Sequence, residues 1–409
     1  MKFFFFTFFI LSVSFALPAA GKSKTVIVSI SKETILADLD EYASNIAKLH
    51  VDPFSIFPKD SFYNGIAALK ANAPLWDADQ MLAQWMILNA RLQDEHMRIF
   101  YTGRDVFPFD CYWFSEGIYI TRTTENNMQY LWSKITAVNH IPIADVAKKI
   151  RQLLPDTNAA ALKYFLPQYI FDPFVIHGLG IAPSRKDITY TVTTQNGKTI
   201  ELHPQAEDRR TLQLHKGFDS KHLLRYEKNL PYWHEYVSAG NYIYFQYNTC
   251  RSNKKQPFSK EEKALLKAID KCQPQRIIID LRNNGGGYPH MIGHVIDYIK
   301  RSKLNRPGGI YVLTGRRTFS AAVINSIQLR HETYARIVGE GTSGSTAFYG
   351  SVETFRLPNT HLDVMYANDY WVSEEKYDGS LRPDVLIPET FEDYSHEKDA
   401  ALEFAIKGQ

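Results

Sequence analysis

Cysteine is scarce: Cys111, Cys250 and Cys272 are the only three in 409 residues, and they lie far apart without metal-ligand spacing. An odd, scattered set excludes a disulfide framework and a structural zinc site, and leaves room for at most one bridge. None of the three sits in a Gly-rich or helix-start context that would lower a thiol pKa, which disfavours a cysteine nucleophile. A marked excess of charge of one sign is missing as well. Lys plus Arg number 47 against 44 for Asp plus Glu, spread without a dense basic face or an acidic tail, so nothing points to nucleic acid. Internal repeats and low-complexity stretches are absent. A long apolar run occurs only at the start, from Phe3 to Leu17, after Lys2 and before Pro18, Ala19 and Ala20. It is shorter than the ~20 apolar residues of a spanning helix. It reads as a secretory signal peptide over 1–20, cut after Ala16 or Ala20, with no cysteine at the boundary to accept a lipid. The mature chain is expected to be secreted or periplasmic, without stable membrane insertion.

With 44% hydrophobic residues, the chain can bury a sizeable core and should divide into two or three units. Helical apolar spacing runs through 31–49, 62–69 and 78–92, the last with a core-type stripe of Met81, Leu82, Trp85, Met86 and Leu92. This predicts a helical N-terminal unit over 21–105. Short alternating strands follow at 118–121 and 135–138, then a helix-like 146–154 and a hairpin-like pair, 188–194 and 199–202, around Asn196-Gly197. They predict a small β-rich unit over 106–211. From 212 to 409, β and α segments alternate: 242–247, a charged helix 260–271, and a strand with an all-apolar core at 276–281. Such alternation predicts an α/β layer domain with buried strands.

Two loops of that last unit could carry chemistry. The strand Ile277-Ile278-Ile279-Asp280-Leu281-Arg282-Asn283-Asn284 runs into Gly285-Gly286-Gly287 and then a helix near 291–299. Glycine there lets the main chain approach a substrate and aim free N–H groups at an oxyanion. A phosphate loop is the competing reading, but no Lys-Ser/Thr follows the last glycine and the glycines are not spaced as a dinucleotide fingerprint requires. The second loop follows the strand 310–314, where Gly315-Arg316-Arg317-Thr318-Phe319 leads to Ser320 and an apolar helix from Ala321. Ser320 could cap that helix. It could instead be a nucleophile, with the Ala321 amide and the positive helix end facing an oxyanion. A serine nucleophile needs a base. His96, in Gln93-Asp94-Glu95-His96-Met97-Arg98, sits where a helix gives way to a strand; His290 and His294 are its competitors near the glycine loop.

Three stretches in order give these loops a context: Asp280-Leu281-Arg282-Asn283-Asn284-Gly-Gly, Thr318-Phe319-Ser320-Ala321, and Val338-Gly339-Glu340-Gly341-Thr342-Ser343-Gly344 with a closing Arg382-Pro383-Asp384. The pattern resembles the C-terminal processing (tail-specific) serine peptidases, including their histidine-dependent, tricorn-like branch, over roughly 277–387. The resemblance implies a crotonase-like core and a serine-type peptidase that needs no cofactor and no metal and acts on peptide or unfolded protein. It implies Ser320 as nucleophile and an oxyanion hole from Gly286, Gly287 and Ala321. The lysine of the other branch is replaced by Ser345. Asp94-Glu95-His96-Met97 is similar to an Asp-Gly-His-Thr motif, which implies His96 as general base. The acid that orients it is implied near Tyr377, as Asp378 or its neighbour Glu375. The middle unit resembles a degenerate PDZ-like module only faintly, through 135–143, with Ser133-Lys134 where the family has Gly-Asp. A catalytically silent binding protein of the same fold is the alternative, and an esterase is a weaker one, since no Gly-x-Ser-x-Gly elbow surrounds Ser320.

Overall fold

A computed structural model describes residues 30–101, 103–155, 158–217, 224–373 and 379–408. The segment read as a signal peptide lies outside them, as do Glu375 and Asp378. Among the described residues no helix is long and apolar enough to cross a membrane.

The C-terminal part is built on a six-stranded sheet. Tyr232–Val237 pairs antiparallel with Tyr242–Tyr247; Arg276–Asp280, Ile310–Thr314, Arg336–Gly339 and Val385–Leu386 then add in parallel. Both faces are covered, which is why these strands read as unbroken apolar runs. Ile277 and Ile279 pack under the helices Phe258–Cys272, Gly293–Arg301 and Ala321–Glu332. Ile278 faces the other way, in a cluster with Tyr244, Tyr311 and the terminal helix Ala400–Lys407. The loops leaving the carboxyl ends of three neighbouring strands, after Asp280, Thr314 and Gly339, therefore emerge side by side, where open parallel sheets present their sites.

The helices Lys32–Leu49, Lys59–Asn72 and Ala78–Ala90 form the N-terminal part. Ser31 and Asp77 start the first and third with capping boxes. The middle part holds a sheet in which Phe109–Phe114, Gly117–Thr123, Lys134–Val138, Tyr190–Thr193 and Thr199–Leu202 pair antiparallel in that order. It also holds the helices Ile143–Arg151, Ala159–Tyr169 and Pro173–Gly178, so it is less dominated by strands than its sequence suggests. One apolar cluster runs from Tyr42 and Trp85 through Ile118 and Tyr190 to Val364 and Tyr366.

The last two residues belong to a long hairpin, Ala347–Arg356 with Asp363–Val372, that leaves the C-terminal part. Its second strand pairs with Arg98–Phe100 in the register Arg98↔Met365, Ile99↔Val364 and Phe100↔Asp363. That short pairing ties the turn bearing His96 to the sheet unit bearing Ser320.

Candidate active site

The glycine-rich loop is fixed by its polar residues. Arg282 is buried between two carboxylates: its guanidinium reaches Asp280 and, at 2.7 and 2.8 Å, Asp399. Its main-chain N–H donates to Asp280 at 2.9 Å, and Tyr244 adds its hydroxyl to the same carboxylate at 2.7 Å. Asp399, flanked by Arg282 and Arg225, is held down to a pKa of about 2 against the desolvation that raises it. Asn284 binds in three directions: its amide donates to the Tyr247 carbonyl, its side-chain oxygen accepts the Gly286 N–H, and its own carbonyl accepts the Phe319 N–H. Thr318 closes the join by donating to the Leu281 carbonyl at 2.9 Å. The glycine loop and the serine turn are thus one unit.

Gly286 lies directly against Ser320. With φ 93, a Cβ there would stand 2.8 Å from the Ser320 Cβ and 3.1 Å from the Ala321 nitrogen, so the position excludes any side chain. Because its N–H is taken by Asn284, the Gly286 amide is not available to an oxyanion. Among the described residues no acceptor takes the amide of Gly287, and Ala321 opens its helix, where the first N–H groups have no partner within the helix.

Ser320 precedes that helix but does not cap it: its side chain accepts no amide, and its backbone holds φ 53, ψ −127. Such a conformation is costly for a residue with a Cβ and collects at functional sites. The third loop backs it. Thr342 donates to the Gly344 carbonyl at 2.7 Å and receives Leu381 N–H at 2.9 Å, and a Cβ at Gly344 would lie 2.9 Å from the Ser320 nitrogen.

His96 reaches this place from the front of the chain. Its ring packs on Phe319 at 4.6 Å between centroids and stacks on Phe348 of the hairpin at 5.3 Å. The residue is 4% exposed; among the described residues neither ring nitrogen has a side-chain partner, and the Tyr349 main chain lies close enough to favour the protonated ring. Burial pushes its pKa down to about 4, opposed by the nearby charge of Asp94, so the ring is neutral at pH 7 and both carries and offers a lone pair. Next to it, the buried Glu95 carboxyl accepts the Ser345 N–H at 3.0 and 3.2 Å. Burial lifts its pKa to about 8. Among the described residues the buried Ser343 hydroxyl has no partner, and the Ser345 hydroxyl lies beside the Glu95 carboxyl.

The other candidates fall outside this cluster. His294 is exposed beside Glu262, and His290 lies edge-on to the exposed Tyr288. The three cysteines are unpaired, and burial raises the Cys250 thiol to about 12, leaving it inert beside the glycine loop. Asp77, Asp79 and His177 form the one metal-type group among the described residues, at the far end of the helix that leads to His96. Asp79 is already paired with Arg185, and Asp77 caps its helix. Glu95, Phe348 and the Asn284 contacts were not singled out from sequence; Phe348 carries only the signal of an apolar residue in an alternating strand.

No family model matches the chain, and no curated protein does. Among solved structures, mature CPAF overlays with a TM-score of 0.61 at 12% identity, covering 92% of this chain and 98% of that one. Mature CPAF complexed with lactacystin gives 0.60 at 13%, covering 92% and 99%. The overlap extends over nearly the whole of both molecules, and the chain has the fold of CPAF.

Proposed function

We propose that the chain is a serine peptidase that cleaves peptide bonds through an acyl-enzyme on Ser320, with His96 as general base. One observation carries the reading: the neutral His96 ring, without a side-chain partner among the described residues, packs on Phe319, the residue leading into a serine that holds a strained backbone and does not cap its helix. The imidazole packs on the residue that precedes Ser320, although the two lie far apart in sequence.

In the reaction, Ser320 Oγ adds to the scissile carbonyl carbon while its proton passes to His96, and the tetrahedral intermediate then expels the amine as His96 returns that proton. Water repeats the sequence on the ester and regenerates the serine. The amides of Ala321 and Gly287 supply the oxyanion donors, and Gly286 contributes the bare backbone that lets the loop close on Ser320. An imidazolium forming in a buried pocket needs an anion nearby. Asp94 is one source of field; Asp378 or Glu375 would orient the ring itself. The reaction as written calls for no metal or cofactor.

We read 212–409 as a crotonase-like core, 21–105 as a helical N-terminal unit and 106–211 as a PDZ-like module, with 1–20 directing secretion. The substrate class is peptide or unfolded protein. A fluorophosphonate probe together with an unstructured peptide tests the reading. The parent protein should label and hydrolyse, and Ser320→Ala should do neither. His96→Ala should stay folded and lose turnover. Hydrolysis by purified Ser320→Ala at the parent rate would refute the assignment.

A further inference from the structure

The turn that carries His96 is anchored from the first helix. Asp94 is 1% exposed, and its carboxylate is used on both sides. One oxygen accepts the main-chain N–H of His96 at 2.7 Å, closing an Asx turn. The other meets His50 Nε2 at 3.0 Å. The partner on the far side of the ring fixes its tautomer: His50 Nδ1 lies 3.1 Å from the Asp52 amide, which can only donate, so Nδ1 is the acceptor and Nε2 carries the hydrogen given to Asp94.

His50 is itself rigidly placed. It is buried at the C-terminal cap of the helix Lys32–Leu49, with its own N–H on the Ile46 carbonyl at 3.2 Å. Its ring stands edge-on to Tyr349 at 5.1 Å, and Tyr349 follows Phe348, which stacks on His96. Gln93, just before the turn, takes φ 60, so the turn is not a conformation the chain would hold unaided. The His96 ring, by contrast, has no side-chain hydrogen bond at either nitrogen among the described residues. Its aim comes from the backbone beneath it, the two phenylalanines beside it and the Tyr349 main chain.

We propose that His50 is a positioning residue for the His96 base, acting through Asp94: its Nε2–H holds the carboxylate in the one orientation that pins the His96 backbone against the serine turn. The inference rests on the peptidase reading above. The same carboxylate favours the protonated His96 ring, so an Asp94 free to rotate away would lose both the turn and part of the field that stabilises the imidazolium as it forms. Misplacement of a reacting group by about 1 Å costs on the order of 100-fold in rate.

Two variants separate the donor from the bulk of the ring. His50→Leu fills the space without a donor, and His50→Gln offers an amide N–H at the reach of Nε2. Active sites are counted by fluorophosphonate labelling of Ser320, and kcat and KM for an unstructured peptide are expressed per labelled site, so loss of folded protein does not enter. The expected result is a kcat lowered by about 10- to 100-fold in His50→Leu with KM changed less than about 2-fold, and a kcat restored to within about 3-fold of the parent in His50→Gln. A parent-like kcat per labelled site in His50→Leu, however unstable the variant, would reduce His50 to a packing role and overturn the proposal. So would a His50→Gln as slow as His50→Leu, because the ring and not its donor would then matter. A parent protein that neither labels nor hydrolyses would sink the peptidase reading itself, a different result from either of these.

Discussion

The backbone of Ser320 offers a test that needs no substrate. At φ 53, ψ −127 the residue occupies a region that costs a side chain about 1–3 kcal/mol. Glycine has no Cβ to clash there, so Ser320→Gly releases that strain; the more flexible unfolded chain of the glycine variant gives back about 0.5–1 kcal/mol. Ser320→Ala keeps the Cβ and therefore the strain. It loses no hydrogen bond of consequence, because the hydroxyl caps no amide. Both variants lack the nucleophile, yet the glycine variant should be the more stable of the two by about 0.5–2 kcal/mol. Urea unfolding followed by intrinsic fluorescence reads this as a higher midpoint at unchanged slope; with a slope of about 3 kcal/mol/M the shift is a few tenths of a molar. A midpoint for Ser320→Gly at or below that of Ser320→Ala would mean that position 320 is relaxed, and the case for a turn shaped around a half-buried nucleophile would fall with it.

Three further outcomes follow from the buried charges. The His96 ring, with its pKa pushed down to about 4, stays a base until the medium is acidic, so the acid limb of kcat/KM should lie nearer 4 than the ~6.5 of free imidazole; a limb at 6.5 or above would contradict the dry environment described. Glu95 has its pKa lifted to about 8 from an ordinary 4.5, so the folded state keeps a proton that the unfolded chain releases, and stability falls as pH rises through that window. Glu95→Gln keeps an oxygen for the Ser345 amide, and its stability gain over the parent should grow from pH 5 to pH 8 and level off above; a gain independent of pH would refute the assignment. Arg282→Met strands the buried carboxylates of Asp280 and Asp399 without their shared cation and should cost about 3–5 kcal/mol in unfolding measurements, whereas a loss below about 1 kcal/mol would show that the pair finds another partner.

The parts that were legible in the sequence are those with a local cause. Strands buried on both faces need apolar side chains on each, and the runs 277–279 and 310–313 declare themselves in that way. A glycine cluster after a strand and a serine before a helix are likewise local signals, and both mark loops at one edge of the sheet. The hairpin Ala347–Arg356 with Asp363–Val372 shows no clean alternation in the sequence, because each strand has consecutive exposed residues, 351–353 and 368–370, and its pairing with Arg98–Phe100 depends on partners far along the chain. The helix Ala159–Tyr169 was hidden by Pro167 inside it. His50 gives no sign at all: a lone histidine after a helix has no pattern, and its partner Asp94 comes to it only through tertiary packing.

Besides the ion pairs of Arg282 and the His50–Asp94 contact, the loops of the site share one kind of bond. Asn284 binds the Gly286 N–H and the Tyr247 carbonyl, Thr318 the Leu281 carbonyl, Thr342 the Gly344 carbonyl, Asp94 the His96 N–H and Glu95 the Ser345 N–H. Each is a side chain fastened to main chain, and main chain is the same whatever residue carries it. A loop held in this way keeps its course when the side chains around it change, provided that they still fill the core to its normal density. The information for the site can therefore reside in a few short stretches, while the surrounding sequence answers only to burial and to the period of its strands and helices. That is a physical reason why a chain can share the fold of CPAF across nearly its whole length at 12% identity.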